Sequence, residues 1–175
     1  MTGMGHRIVT FAVIGGITGS PLAATLGGLS AAIPDTLEYL LFGRARIGFH
    51  RKFTHWFLPW LMMATLCFYN AGWRIEYDSV LFSVGAMPLA ADMTSGVESF
   101  IWACAAFWFL GPLMHIAEDA CCGKVPFLLP WRHGFGVYLF RMSPRIGVMS
   151  KGETIFTIII CVLSLTAWFV HGIIF

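Results

Sequence analysis

An all-helical, polytopic membrane fold is what this sequence predicts, and three observations carry it. The chain is 58% hydrophobic and only 11% charged, against about 25% charged in an ordinary soluble domain. Its apolar stretches are long, the last running from Thr154 to Phe175 without a charge. Finally, no run shows the two-residue alternation of a half-buried strand. The expectation is one membrane domain over residues 1–175, with a short N-terminal helical hairpin and about four to five further helices.

The first apolar stretch, residues 8–33, is broken by Gly19-Ser20-Pro21. Proline removes a helical hydrogen bond and clashes with the preceding turn. A continuous helix would hold His6 and Asp35 roughly 40 Å apart. A hairpin turning at Gly19-Ser20-Pro21 returns them to one side, with arms of about 12 residues, too short to span. Gly15, Gly16, Gly27 and Gly28 would let the arms pack closely. The N-terminal segment does not read as a cleaved signal peptide, since its only basic element is His6-Arg7.

Residues 34–54 read as a basic loop with Arg44, Arg46, Arg51 and Lys52. Trp56 to Trp73 is the next apolar run, with Pro59 tolerated in its first turn and tryptophans at both ends, as at headgroup level. Arg74 to Asp78 is an acidic turn. Ser79 to Ala91 is short and ends near Pro88, which suggests a partial or re-entrant segment. Asp92 to Glu98 reads as a polar interruption, and Phe100 to Ile116 as a span despite Gly111-Pro112. Residues 123–150 form a second basic stretch whose Pro126, Phe127, Pro130 and Trp131 suit the interface. The positive-inside rule places both basic stretches in the cytoplasm. A net charge of +2 gives no argument for nucleic acid. The five cysteines show no metal-ligand spacing and mostly lie in apolar runs.

The chemistry-bearing residues gather at the predicted helix boundaries. His50-Arg51 and Thr54-His55 precede the second apolar run, His6 precedes the first, Pro34-Asp35 follows it, and His115 and Asp119 close the third. His115 and Asp119 are one helical turn apart and share a face. Each alone has an ordinary explanation: Asp35 as an N-cap, Asp119 as a solvated helix end, and the arginines as side chains reaching headgroups. Together they point to one site, because ionisable groups at membrane depth mark function. Imidazole with carboxylate is zinc or manganese chemistry. The expected metal ligands are His6, Asp35, His50 or His55, His115 and Asp119. Asp35 or Glu38 is the expected general base and Arg51 the expected anion holder. His133 and His171 are read as unrelated.

In these motifs the chain resembles the YdjM-like family, described as LexA-regulated, inner-membrane, metal-dependent hydrolases. Gly5-His6, Pro34-Asp35, His50-Arg51 with Thr54-His55, and His115 with Asp119, Gly123, Pro126 and Pro130 follow that family's order over roughly residues 1–155. The chain departs from it where the family has Asp-x-Asp-His, since Leu37 and Glu38 stand in the last two places. The resemblance implies a multi-pass inner-membrane hydrolase with divalent metal, zinc first and manganese second. It implies a reaction class and not a substrate; the membrane setting is what suggests an ester such as a phosphoester of a lipid or membrane-bound carrier. A weaker likeness to zinc-dependent phospholipase C and P1-type nucleases points the same way. The rival expectation is a non-catalytic scaffold, or a subunit of a larger membrane assembly or homo-oligomer, in which these residues only cap helices.

Overall fold

A computed structural model describes residues 1–43, 51–71, 93–126, 129–131, 134–142 and 147–174, with the side chains of 93–95 and 171–174 outside the description. Among the described residues the regular structure is six α-helices and no strand. They are α1 (Gly3–Thr18), α2 (Pro21–Ser30), α3 (Ile33–Phe42), α4 (Phe57–Asn70), α5 (Met93–Ala120) and α6 (Lys151–Ile174).

Local signals explain the N-terminal hairpin. Thr2 caps α1 by accepting from the Gly5 amide, and Gly19 ends it at φ 64°, a left-handed conformation that glycine adopts without penalty. Ser20 then caps α2 through the Ala23 amide, with Pro21 in its first turn. Residues 34–42, expected as loop, instead form most of α3. Pro34 occupies the first turn, where its missing N–H costs nothing, and Leu37 to Leu41 contains good helix formers. Asp35 sits in that first turn and the N-cap is Ala32, so Asp35 is not the cap. The polar interruption expected at Asp92 to Glu98 is also corrected: 93–98 open α5, and Glu98 accepts from Trp102 Nε1 one turn on at 3.4 Å. The segments expected as the acidic turn and the re-entrant run lie outside the described residues.

Two helical segments, Gly96–Ala120 and Lys151–Val170, are long and apolar enough to cross a membrane. α1 packs between α2 and α6, and α5 packs on α2 and α4. Small residues set the approach distances. A Cβ on Gly16 would lie 2.7 Å from the Ser164 carbonyl oxygen, and one on Gly111 would overlap Ser30 and the Gly27 carbonyl. α1 and α6 run parallel, since Gly5 meets Glu153 and Gly16 meets Ser164. After α5 the chain folds back along the helix end: Val125 and Phe135 bridge, Val137 donates to the Ala120 carbonyl and Leu139 to that of Cys121.

The apolar core lies in three clusters, around Val9 and Phe140, around Ile14 and Phe107, and around Ile116 and Val125. Polar side chains are buried beside them. His6, His55, His115, Glu38, Glu118, Asp119 and Glu153 are each at most 3% exposed. Buried charge is costly unless paired or coordinated, so this concentration locates the site.

Candidate metal centre

Three helices and the turn before α4 contribute to one polar chamber. On α5, His115, Glu118 and Asp119 are three and four residues apart and share a face. On α1, His6 and Thr10 are one turn apart and face them. His6 Nδ1 lies 2.7 Å from Glu118 Oε2, and Thr10 Oγ1 donates to Glu118 Oε1 at 2.9 Å. A carboxylate only accepts, so His6 Nδ1 carries a proton directed at Glu118. His6 Nε2 is buried, has no hydrogen bond, and lies 3.3 Å from Asp119 Oδ1. Burial alone would pull His6 down; the adjoining Asp119 and Glu118 outweigh it and raise its pKa to about 9. The His6 and His115 rings stack at 3.7 Å between centroids.

The opposite wall comes from α3 and the approach to α4. His55 is completely buried. Its Nδ1 faces Thr54 Oγ1 at 3.0 Å and Glu38 Oε2 at 3.5 Å. Carboxylates therefore flank both ring nitrogens, Glu38 behind Nδ1 and others in front of Nε2, which points into the chamber. There it meets His115 Nε2 at 3.1 Å, Asp35 Oδ1 at 3.4 Å and Asp119 Oδ2 at 3.6 Å. His115 Nε2 lies 3.8 Å from Asp35 Oδ1 and 3.9 Å from Asp119 Oδ2. His115 Nδ1 is buried without a partner, so the stack on His6 and the Nε2 contact to His55 set its ring. Burial would raise Asp35, but the hydrogen bond to His55 and the charges of His115 and His55 outweigh it and bring its pKa down to about 2. Asp35 is the accessible member, 38% exposed at its side chain against 3% for Asp119.

These residues fit a divalent ion. Ligand atoms bound to one zinc at its usual bond lengths lie about 2.9–3.6 Å from one another. His55 Nε2 and His115 Nε2 lie within 3.1–3.9 Å of each other and of the Asp35 and Asp119 carboxylates, which approaches that spacing before any ion draws them together. Asp35, His55 and His115 form one group able to hold a metal ion, and His6, His115 and Asp119 form another, with ligand atoms within 4.8 Å in each. Nitrogen and carboxylate oxygen without thiolate suit zinc or manganese.

Arg51 lies over the chamber. Its Nη2 donates to Asp119 Oδ1 at 2.8 Å and contacts Cys122 Sγ and Met142 Sδ. Its backbone N–H reaches Glu38 Oε2 at 3.4 Å. The residue has φ 57°, uncommon for a non-glycine side chain and frequent at functional sites. Gly123 makes room for it, since a Cβ there would overlap the guanidinium. Arg51 Nε is buried without a partner. The Met1 amino group also contacts Asp119 Oδ1, at 2.7 Å.

Of the residues expected from sequence, the structure brings His6, Asp35, His55, His115 and Asp119 together. His50 lies outside the described residues, as do Arg44, Arg46, Arg132 and His133. Glu38 sits behind His55, not in either metal-holding group. Three participants were not assigned roles from sequence: Glu118 and Thr10 behind His6, and Glu153. The last accepts from both the Thr2 amide and hydroxyl, at 2.7 and 2.6 Å, and so ties α6 to the cap of the helix that carries His6. Glu118 was legible as the third residue on the His115–Asp119 face; nothing in the sequence marks Glu153. Comparison with protein-family models, with curated proteins and with solved structures finds no match for this chain.

Proposed function

We propose that this chain is a multi-pass inner-membrane hydrolase that uses a divalent ion, zinc in first place and manganese in second, to cleave a phosphoester of a lipid or membrane-bound carrier. One observation carries the reading: two buried imidazole Nε2 atoms face each other at 3.1 Å between two carboxylates. Two imidazole nitrogens and two carboxylate oxygens gathered this closely form a nitrogen and oxygen donor set that a divalent ion would draw together. The motif order shared with YdjM-like hydrolases supports the same class. The membrane setting is supported by the two long apolar helices and by α6, which exposes Ile155, Ile158, Ile159, Val162, Leu163 and Phe169. An apolar face that size on a soluble monomer would be an aggregation liability.

His55, His115, Asp35 and Asp119 would hold the ion, with His6 Nε2 against Asp119 on the far side. A bound ion of this kind supplies a coordinated water of near-neutral pKa and polarises a phosphoryl oxygen. The remaining work falls to the chain. Glu118 orients the His6 ring, and Thr54 with Glu38 orients that of His55, as outer partners of metal-binding histidines do. Arg51, held by Asp119 through one nitrogen, would set its positive charge beside a substrate anion, which guanidinium binds well. Asp35 is the accessible carboxylate and the residue suited to take a proton at the mouth. Glu38, walled in behind His55, is a positioning residue and not the base.

The test is hydrolysis by purified, zinc-loaded protein in mixed micelles with phosphatidic acid and with a bis-aryl phosphodiester. Phosphate or aryl alcohol release that stops on chelation, and returns with zinc or manganese, is expected. A metal-loaded protein that cleaves neither class overturns the hydrolase reading and leaves a metal-holding scaffold.

A further inference from the structure

A second feature lies outside the polar chamber. A groove of about 480 Å³ opens between α1, α2 and α6, within the size range of small-molecule sites. Ile8 and Phe11 of α1, Leu29 of α2, and Leu165 and Trp168 of α6 form its apolar walls, and its one charged lining residue is Arg7. Ile8, Phe11, Leu29 and Leu165 each show more than a third of their surface, at 38%, 40%, 56% and 55%. The groove is therefore continuous with the outer apolar face of α6. Among the described residues, no ion pair involves Arg7.

The direction of the groove follows from the packing. α1 and α6 run parallel, with Gly5 level with Glu153 and Gly16 level with Ser164. Arg7 therefore marks the end nearer the metal centre, one residue from His6, and Trp168 marks the far end. A cation at one end of an apolar trough is the complement of an amphiphile with a phosphate head and a hydrocarbon tail. Guanidinium binds phosphate through paired hydrogen bonds, and its stem lies along apolar surface with the charge at the boundary.

We propose that this groove binds one anionic glycerophospholipid, its phosphate on Arg7 and an acyl chain along Phe11, Leu165 and Trp168. The proposal rests on the membrane reading above but not on the metal or on hydrolysis. It also gives that reading a substrate class, because a lipid seated here has its head beside the end of α1 that carries His6.

The full chain in phosphatidylcholine nanodiscs tests it, using a minor fraction of lipid with brominated acyl chains, which quench tryptophan on contact. The Trp168 signal is the difference between the protein and Trp168→Phe. Brominated phosphatidic acid should quench that signal several-fold more than brominated phosphatidylcholine at the same fraction. Arg7→Gln should abolish the preference, and Thr25→Phe, which fills the groove from an exposed position, should reduce quenching by either lipid. The preference should survive in His55→Ala, so loss of the metal leaves this site intact. Equal quenching by the two lipids, or a preference that persists in Arg7→Gln, overturns the proposal. So does protection of Trp168 from both lipids by a second copy of the chain, detected as a dimer by light scattering.

Discussion

The two walls of the metal centre are built differently. On the α1–α5 wall Asp119 is saturated: Arg51 and the Met1 amino group lie on Oδ1 at 2.8 and 2.7 Å, with His6 beside them. Glu118 is likewise held by His6 and Thr10. On the α3–α4 wall Asp35 is partly exposed, and the His55 ring is fixed from behind by longer contacts to Thr54 and Glu38. His115 lies between the two. The saturated wall is stable without help and acts as a structural lock. The looser wall has an open carboxylate and brings His55 Nε2 to 3.1 Å from His115 Nε2, so the proposed ion and substrate belong on that side. Substitutions on the first wall should therefore damage fold and ion together, and substitutions on the second should remove the ion alone.

The largest effect is expected for Asp119→Asn. It strips a nearly buried guanidinium of its counter-charge, a loss of about 3–5 kcal/mol for a broken buried pair. Thermal unfolding in detergent should fall markedly, and metal analysis should find no ion. His55→Ala should also lose the ion, by more than the roughly 10–100-fold that follows loss of an orienting partner, yet unfold near the parent temperature. A large stability loss in His55→Ala would erase the contrast between the walls. Next comes Glu118→Gln, expected to weaken zinc about 10–100-fold by loosening the hold on the His6 ring, read by competition with a chromogenic chelator. Glu38→Gln should do less than Glu118→Gln, because its contact to His55 is 3.5 Å against 2.7 Å. The reverse order would mean that the α3–α4 wall is the better organised. The smallest effect is expected for Glu153→Gln, which weakens two hydrogen bonds to Thr2 and should cost about 1–2 kcal/mol with zinc affinity changed little.

The fold was legible where chain punctuation is strong. Gly19-Ser20-Pro21 announced the hairpin because glycine ends one helix in the left-handed region and serine caps the next. The metal-centre side chains were legible as histidines and acids at helix boundaries, since hydrophobic patterning makes such residues conspicuous. Less visible was anything set by tertiary contact. Residues 34–42 look like the start of a loop because Pro34 and the arginines dominate the local reading, yet Leu37 and Glu38 are helical and Glu38 is buried against His55. Glu153 looks like an ordinary first-turn acid of α6. Only its hydrogen bonds to the Thr2 amide and hydroxyl, with Gly5 leaving room for Oε1, reveal that it holds α1. The left-handed backbone at Arg51 has no sequence signature of the kind glycine or asparagine would give.

X-ray absorption spectroscopy on purified, zinc-loaded protein tests the central claim most directly. The account predicts one tightly held zinc per chain with only nitrogen and oxygen neighbours, a multiple-scattering pattern from at least two imidazoles, and loss of that pattern in His55→Ala. A protein that takes up no zinc, or whose zinc is bound by sulfur and is indifferent to His55, would contradict it.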